Sequence, residues 1–218
     1  MFRKTLRSLG FAPFLITSAL AIGGSVGPQP SIAFGAFCEA PAVVKQARPE
    51  FHRVVRPLAD LISKGEGDYN AVNRGYAGDT PGGIQGLTGM TFENYTVGQV
   101  MDMQRRRLFA VGRYQFIPVT LRFAVRMSDV SELDMFTPET QDKLFAALLL
   151  YKRPAIGAYI RGNHDLKGWA LNELAKEWAS VEYRYGRGFY DHIGGNRAHI
   201  TRAEASEALD VVRTAYSA

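Results

Sequence analysis

The stretch from Gly67 to Tyr95 constrains the fold more than any other part of the chain. Gly75, Gly78, Gly82, Gly83, Gly86 and Gly89 come thickly there, with Pro81 among them, and helical periodicity vanishes. Glycine and proline both oppose a regular helix, one by entropy and the other by losing a donor. The stretch therefore reads as loop with a short, irregular hairpin. It is too long for an idle connection in a compact domain. Its aromatics (Tyr69, Tyr76, Phe92, Tyr95) speak against disorder.

Helical patterns lie on both sides. Val54, Val55, Leu58, Leu61 and Ile62 recur at helical spacing, with Pro57 in a first turn and Gly65 and Gly67 ending the pattern. Thr96-Val97-Gly98-Gln99 is a capping box, and Pro118 starts a helix with Leu121, Ala124 and Val125 on one face. Thr137-Pro138-Glu139 predicts another start, followed by a buried stripe of Leu144, Phe145, Leu148 and Tyr151. Pro154 opens a short helix to about Arg161, and Ala170, Leu174, Trp178 and Val181 mark the next. Thr201 and Glu204 cap a last helix carrying Ala205, Leu209, Val212 and Tyr216. Met90, Met101, Met103, Met127 and Met135 read as core filler. The expected class is mainly α (α+β): a helical body, a small Gly-rich loop/β lobe, and a substrate cleft between them.

The N-terminus reads as a targeting segment. Arg3, Lys4 and Arg7 precede an uncharged stretch from Ser8 to Cys38, most apolar from Phe11 to Ile22. Ala33 and Gly35 suit cleavage near Ala36, so residues 1–35 are expected to be a signal peptide and 36–54 a lead-in. Pro13, Gly23, Gly24, Gly27, Pro28 and Pro30 argue against an uncleaved membrane anchor. The mature protein is then expected in the periplasm. The leader also accounts for much of the net charge of +5; without its three cations, 23 basic residues face 21 acidic ones. That balance excludes a nucleic-acid partner bound through a strong basic field. The short run Arg105-Arg106-Arg107 reads as a solvated helix end. A single cysteine permits no intramolecular disulfide and no zinc site, and His52, His164, His192 and His199 show no metal-ligand spacing. No metal and no cofactor are expected.

Glu66 is the residue that points to chemistry. It stands at a predicted helix end, at the lip of the Gly-rich loop, between Gly65 and Gly67. A carboxylic acid keeps its proton at neutral pH only where the surroundings disfavour the anion. Leu61 and Ile62 can supply such a backing, and glycines let a sugar approach closely. A second polar-aromatic cluster, Gly112-Arg113-Tyr114-Gln115-Phe116, follows downstream. An aromatic such as Tyr114 is expected to complete a semi-apolar pocket.

These segments carry a resemblance. Ile62-Ser63-Lys64-Gly65-Glu66-Gly67 followed by Asn73-Arg74-Gly75-Tyr76 resembles the catalytic segment of bacteriophage lambda-type lysozymes. Ala110-Val111-Gly112-Arg113-Tyr114-Gln115-Phe116 is similar to that family's Gly-Arg-Tyr-Gln helix start. Phe136-Thr137-Pro138-Glu139-Thr140-Gln141-Asp142 is similar to its Gln-Asp helix, and Trp178-Ala179-Ser180 to its Trp-Ala-Ser. With its leader, the chain also resembles exported alphaproteobacterial muramidases that help type IV secretion machines cross the wall. The resemblance implies a lysozyme-like catalytic domain over 55–186, a C-terminal extension over 187–218, and peptidoglycan glycan strands as substrate. It implies type IV secretion components as partners. It carries the general acid onto Glu66 and glycan-binding roles onto Tyr114, Gln115, Asn73 and Tyr76. Arg113 reads equally as structural, and Gln141 and Asp142 as buried polar residues fastening helices.

The second carboxylate decides the mechanism. A hydrolase needs one, as base or nucleophile; a lytic transglycosylase uses a single Glu as acid and then base. Asp68, Asp79 and Glu93 are the candidates. Asp79, in Gly78-Asp79-Thr80-Pro81, is the strongest, although its distance from Glu66 is longer than related lysozymes have. The resemblance favours the one-carboxylate route, with hydrolysis through Asp79 or a non-catalytic glycan-binding or scaffold module as alternatives.

Overall fold

The computed structural model describes residues 50–76, 78–193 and 196–218. The expected signal peptide, residues 36–49 of the expected lead-in and Cys38 lie outside the described residues. Among the described residues no helix is long and apolar enough to cross a membrane.

The protein is mainly helical. In chain order come α1 (Phe51–Val54), α2 (Arg56–Glu66), β1 (Val72–Asn73), α3 (Gly83–Thr88), α4 (Val97–Arg106), β2 (Ala110–Val111), α5 (Pro118–Met127) and α6 (Pro138–Ala147). A π-helical turn (Leu148–Lys152) leads to α7 (Pro154–Ile160), α8 (Lys167–Glu177), β3 (Glu182–Arg184), β4 (Arg187–Gly188) and α9 (Arg202–Ser217). The capping signals correspond to helix starts. Thr96 with Gln99, and Thr201 with Glu204, form complete capping boxes. The Thr137 hydroxyl accepts the Thr140 amide ahead of Pro138. Such a cap contributes about 1 kcal/mol because it satisfies amides the helix leaves unpaired.

The apolar faces meet in one core. Leu58 and Ile62 of α2, Val97 and Val100 of α4, Leu121 of α5, Leu144 and Phe145 of α6 and Leu174 of α8 are all fully buried in it. Burial of each such side chain stabilises the fold by about 1.5–3 kcal/mol. Phe145 stacks on Tyr114 at 4.3 Å between ring centroids and meets Trp178 at 5.1 Å. The Trp178 indole donates to the Tyr114 carbonyl at 3.3 Å.

Three expectations shift. Tyr151 is 52% exposed, not part of a buried stripe. The π-helical turn changes the phase of the face after Leu148. Of the methionines, Met101 is buried, but Met90, Met127 and Met135 are exposed. Residues 187–218 are no appendage: Ala205, Leu209 and Val212 are fully buried in the same core as Leu58, and α9 packs along α2. The described residues from Glu50 to Ala218 belong to one compact unit, with no division at 186.

The Gly-rich segment is folded. It holds β1, α3 and a 3-10 turn at Phe92–Asn94. Asn70 ties it together: its side-chain oxygen accepts the Phe92 amide at 2.9 Å, and its carbonyl accepts the Ile84 amide at 2.9 Å. The strand partner of β1 lies outside the segment. β1 pairs antiparallel with β2, Val72 opposite Val111 and Asn73 opposite Ala110. That pairing brings the Gly112–Gln115 turn beside the lobe. Gly112 has φ 73°, in the left-handed region, and a Cβ there would overlap the Gln141 side chain.

Candidate active site

Glu66 is the last residue of α2. Its carboxyl opens onto a cavity of about 720 Å³. The lobe contributes Asn73 and Thr80 to the wall, the turn after β2 contributes Gln115, the segment after α8 contributes Ser180, and the approach to α9 contributes His199.

The contact that fixes Glu66 is with Ser180. The Ser180 hydroxyl donates to Glu66 Oε1 at 2.6 Å across 114 positions of chain. Ser180 is buried, and Gly65 is what lets it come so close. A Cβ on Gly65 would overlap Ser180 Cβ and lie 2.7 Å from its hydroxyl oxygen. The glycine before Glu66 therefore makes room for the Ser180 side chain. The Ser180 segment is held in turn by the chain leading to α9. The amides of His199 and Ile200 both donate to the Ser180 carbonyl, at 2.8 and 2.9 Å.

Burial pushes the Glu66 carboxyl above the ordinary glutamate range; the Ser180 hydroxyl and amide and the His199 ring pull it back only in part. A group that is harder to ionise folded than unfolded stabilises the fold fully below its unfolded pKa. That contribution is lost as pH rises through the folded one. Glu66→Gln never ionises, so its Tm relative to the wild type should rise with pH across the raised pKa and be flat in acid. Paired melts over a pH series check this. A difference that stays constant with pH would mean that Glu66 titrates like a free glutamate.

Of the residues singled out from the sequence, Glu66, Asn73 and Gln115 come together at the cavity. Asn73 Nδ2 donates to Gln115 Oε1 at 3.2 Å, and Gln115 Nε2 donates to the Gly112 carbonyl at 3.0 Å. Asn73 Oδ1 is buried and has no partner among the described residues.

Tyr114, Tyr76 and Asp79 do not line the cavity. Tyr114 is 2% exposed and belongs to the core; its hydroxyl donates to Asp142 at 2.5 Å. It closes no pocket around Glu66. Tyr76 is 78% exposed on the lobe. Asp79 is occupied by its own loop: it accepts the amides of Arg74 at 2.9 Å and Tyr76 at 3.1 Å, and the Thr80 hydroxyl at 2.7 Å. Desolvation would raise its pKa, but these bonds to the anion outweigh it and hold the carboxyl below the usual range. Asp68 does reach the cavity wall, with one carboxylate oxygen turned back to the Asn70 amide at 2.8 Å.

Arg113 is a fastener under the lobe. It is 8% exposed and donates to Asp60 at 2.5 Å, to the Tyr69 hydroxyl at 2.8 Å and to Ser63 at 3.0 Å. Gln141 accepts the Arg113 amide at 2.9 Å and donates to the Tyr69 carbonyl at 3.0 Å. These contacts join α2, the lobe, the turn after β2 and α6.

The Glu66 partners were the residues that sequence reasoning missed. In the sequence, Ser180 belongs to Trp178-Ala179-Ser180 without an assigned role, and His199 has no metal-ligand spacing. No local pattern in the chain links either to Glu66. Away from the cavity, the ligand atoms of Glu50, His52 and Glu139 lie within 4.8 Å of one another. Glu139 is also paired with Lys143 at 3.3 Å. No family model, curated protein or solved structure matches this chain.

Proposed function

We propose that this protein is a peptidoglycan-cleaving glycosidase with a lysozyme-like fold, acting on the β-1,4 bond between N-acetylmuramic acid and N-acetylglucosamine. One observation carries the reading. A carboxyl group that burial makes harder to ionise opens onto a cavity of about 720 Å³ lined by amide and hydroxyl groups suited to a sugar. A pure glycan binder has no need of a desolvated acid at that point.

The chemistry follows from the carboxyl. Glu66 gives its proton to the glycosidic oxygen as the C1–O bond breaks, and the N-acetylglucosamine leaves as an alcohol. Glu66 is then an anion. The Ser180 hydroxyl at 2.6 Å stabilises and orients it. The anion takes the proton of the muramoyl 6-hydroxyl, whose oxygen bonds to C1 and closes a 1,6-anhydro ring. No water is consumed, and no second carboxylate is required. The engagement of Asp79 with its own loop favours this route over hydrolysis through Asp79.

Mass spectrometry of muropeptides released from purified sacculi tests the reaction. Products lighter by one water than reducing-end muropeptides are expected. Reducing ends alone would replace transglycosylation with hydrolysis. The place of action proposed is the periplasm, after removal of the leader, with opening of the wall for a secretion machine as the use.

A further inference from the structure

Arg197 stands out in the wall of the cavity. It is exposed, and it makes no hydrogen bond or ion pair with any described residue. Three arginines of α2, the lobe and the turn after β2 are, by contrast, engaged. Arg113 is bound to Asp60, Arg56 to Asp60 and Asp142, and the Arg74 guanidinium to the Asp79 carbonyl.

The position of Arg197 is built by the fold. The segment before α9 is pinned against Ser180 through the amides of His199 and Ile200. Ile200 then bridges in parallel to Val181, and its carbonyl accepts the Glu182 amide at 2.8 Å. Arg197 and His199 are two positions apart on this run, and both reach the cavity. The same serine that orients Glu66 thus anchors the run that presents the free guanidinium. An unpaired guanidinium in the wall of an otherwise polar cavity attracts an anionic group of the ligand, because its planar fork of donors matches a carboxylate through charge-assisted hydrogen bonds.

We infer that Arg197, with His199 beside it, binds a carboxylate carried on the sugar strand, so that the cavity selects anionic glycan over neutral glycan of the same backbone. This rests on the glycosidase reading above and names what that site recognises. On a wall glycan the carboxylate has two sources: the lactyl ether of the muramoyl residue, or the peptide stem attached to it. Binding is chosen over the acid–base step for Arg197, since a guanidinium does not give up its proton.

The test measures binding to the full-length Glu66→Gln chain, so that no ligand is consumed. The probes are a neutral N-acetylglucosamine oligomer, muramoyl strands stripped of peptide, and muramoyl strands whose stem carboxylates are intact but whose lactyl group is in amide linkage. Adding Arg197→Gln should weaken the muramoyl ligands by about tenfold, as for a lost charge-assisted hydrogen bond. The neutral oligomer should be unaffected. Arg197→Lys should recover much of the loss, and the anionic ligands alone should weaken with added salt. A loss on stripped strands assigns the lactyl carboxylate; a loss confined to stem-bearing strands assigns the stem. Equal effects on neutral and anionic ligands, or none on either, overturn the inference while leaving the role of Glu66 untouched. If Glu66→Gln cuts sacculi as well as the wild type, the glycosidase reading itself fails.

Discussion

Glu66→Gln is expected to lower the rate of cleavage of purified sacculi by about 10²–10⁴-fold, the usual contribution of a general acid. The substitution keeps the shape of the side chain and leaves an oxygen for the Ser180 hydroxyl, which lies 2.6 Å from Oε1. The fold should therefore survive, and the loss should fall on the chemical step. Release of muropeptides by the two chains, measured beside their circular dichroism, gives the answer. Only an undiminished rate in a folded variant would remove Glu66 from the mechanism. A collapse of the fold in the Glu66→Gln variant is not expected, because burial already disfavours the charge that the substitution removes.

The second large effect is on stability. Asp142→Ala is expected to cost about 3 kcal/mol in urea denaturation. The Asp142 carboxylate is 7% exposed and accepts from three directions: the Tyr114 hydroxyl at 2.5 Å, the Tyr69 hydroxyl at 3.0 Å and the Arg56 guanidinium at 2.9 Å. Removing it leaves the Tyr114 hydroxyl unpaired in the core, beside Phe145 and Phe116. An unpaired buried donor costs its full desolvation, which is why the loss should exceed that of one ordinary hydrogen bond. Tyr114→Phe is the matching control. It deletes donor and penalty together and should cost only about 1 kcal/mol. Equal losses in the two variants would mean that Asp142 acts through Tyr114 alone.

Glu66, Tyr114 and Asp142 all stand in motifs that the chain displays openly, yet a motif does not convey the direction of its side chains. Gly-Arg-Tyr-Gln marks a turn of special geometry in either reading. From the chain, an aromatic there looks like a sugar platform. In the fold, Tyr114 faces inward to Asp142, and Gln115 is the member that reaches the cavity. The two neighbours point apart because Gln115 sits at φ 48°, a left-handed kink. Neither direction is visible in residue types. Asp79 is a similar case: an aspartate in a Gly-rich loop can be a catalytic group or a loop-closing acceptor, and only the amides of Arg74 and Tyr76 distinguish them.

Local order was legible because its causes are local. Capping by Thr96 and Thr201, the first-turn proline of α2 and the spacing of Leu58 and Ile62 each act over a few residues, and the chain displays them in full. The same holds for Glu66 as the end of a helix beside glycines. The state of that carboxyl belongs to the tertiary structure. Its raised pKa comes from burial by segments that meet only after packing, and its orientation comes from a serine 114 positions away. Desolvation and charge act through space, so they follow the fold and not the order of residues. A helix end can be read from its own letters; an acid is made by what surrounds it.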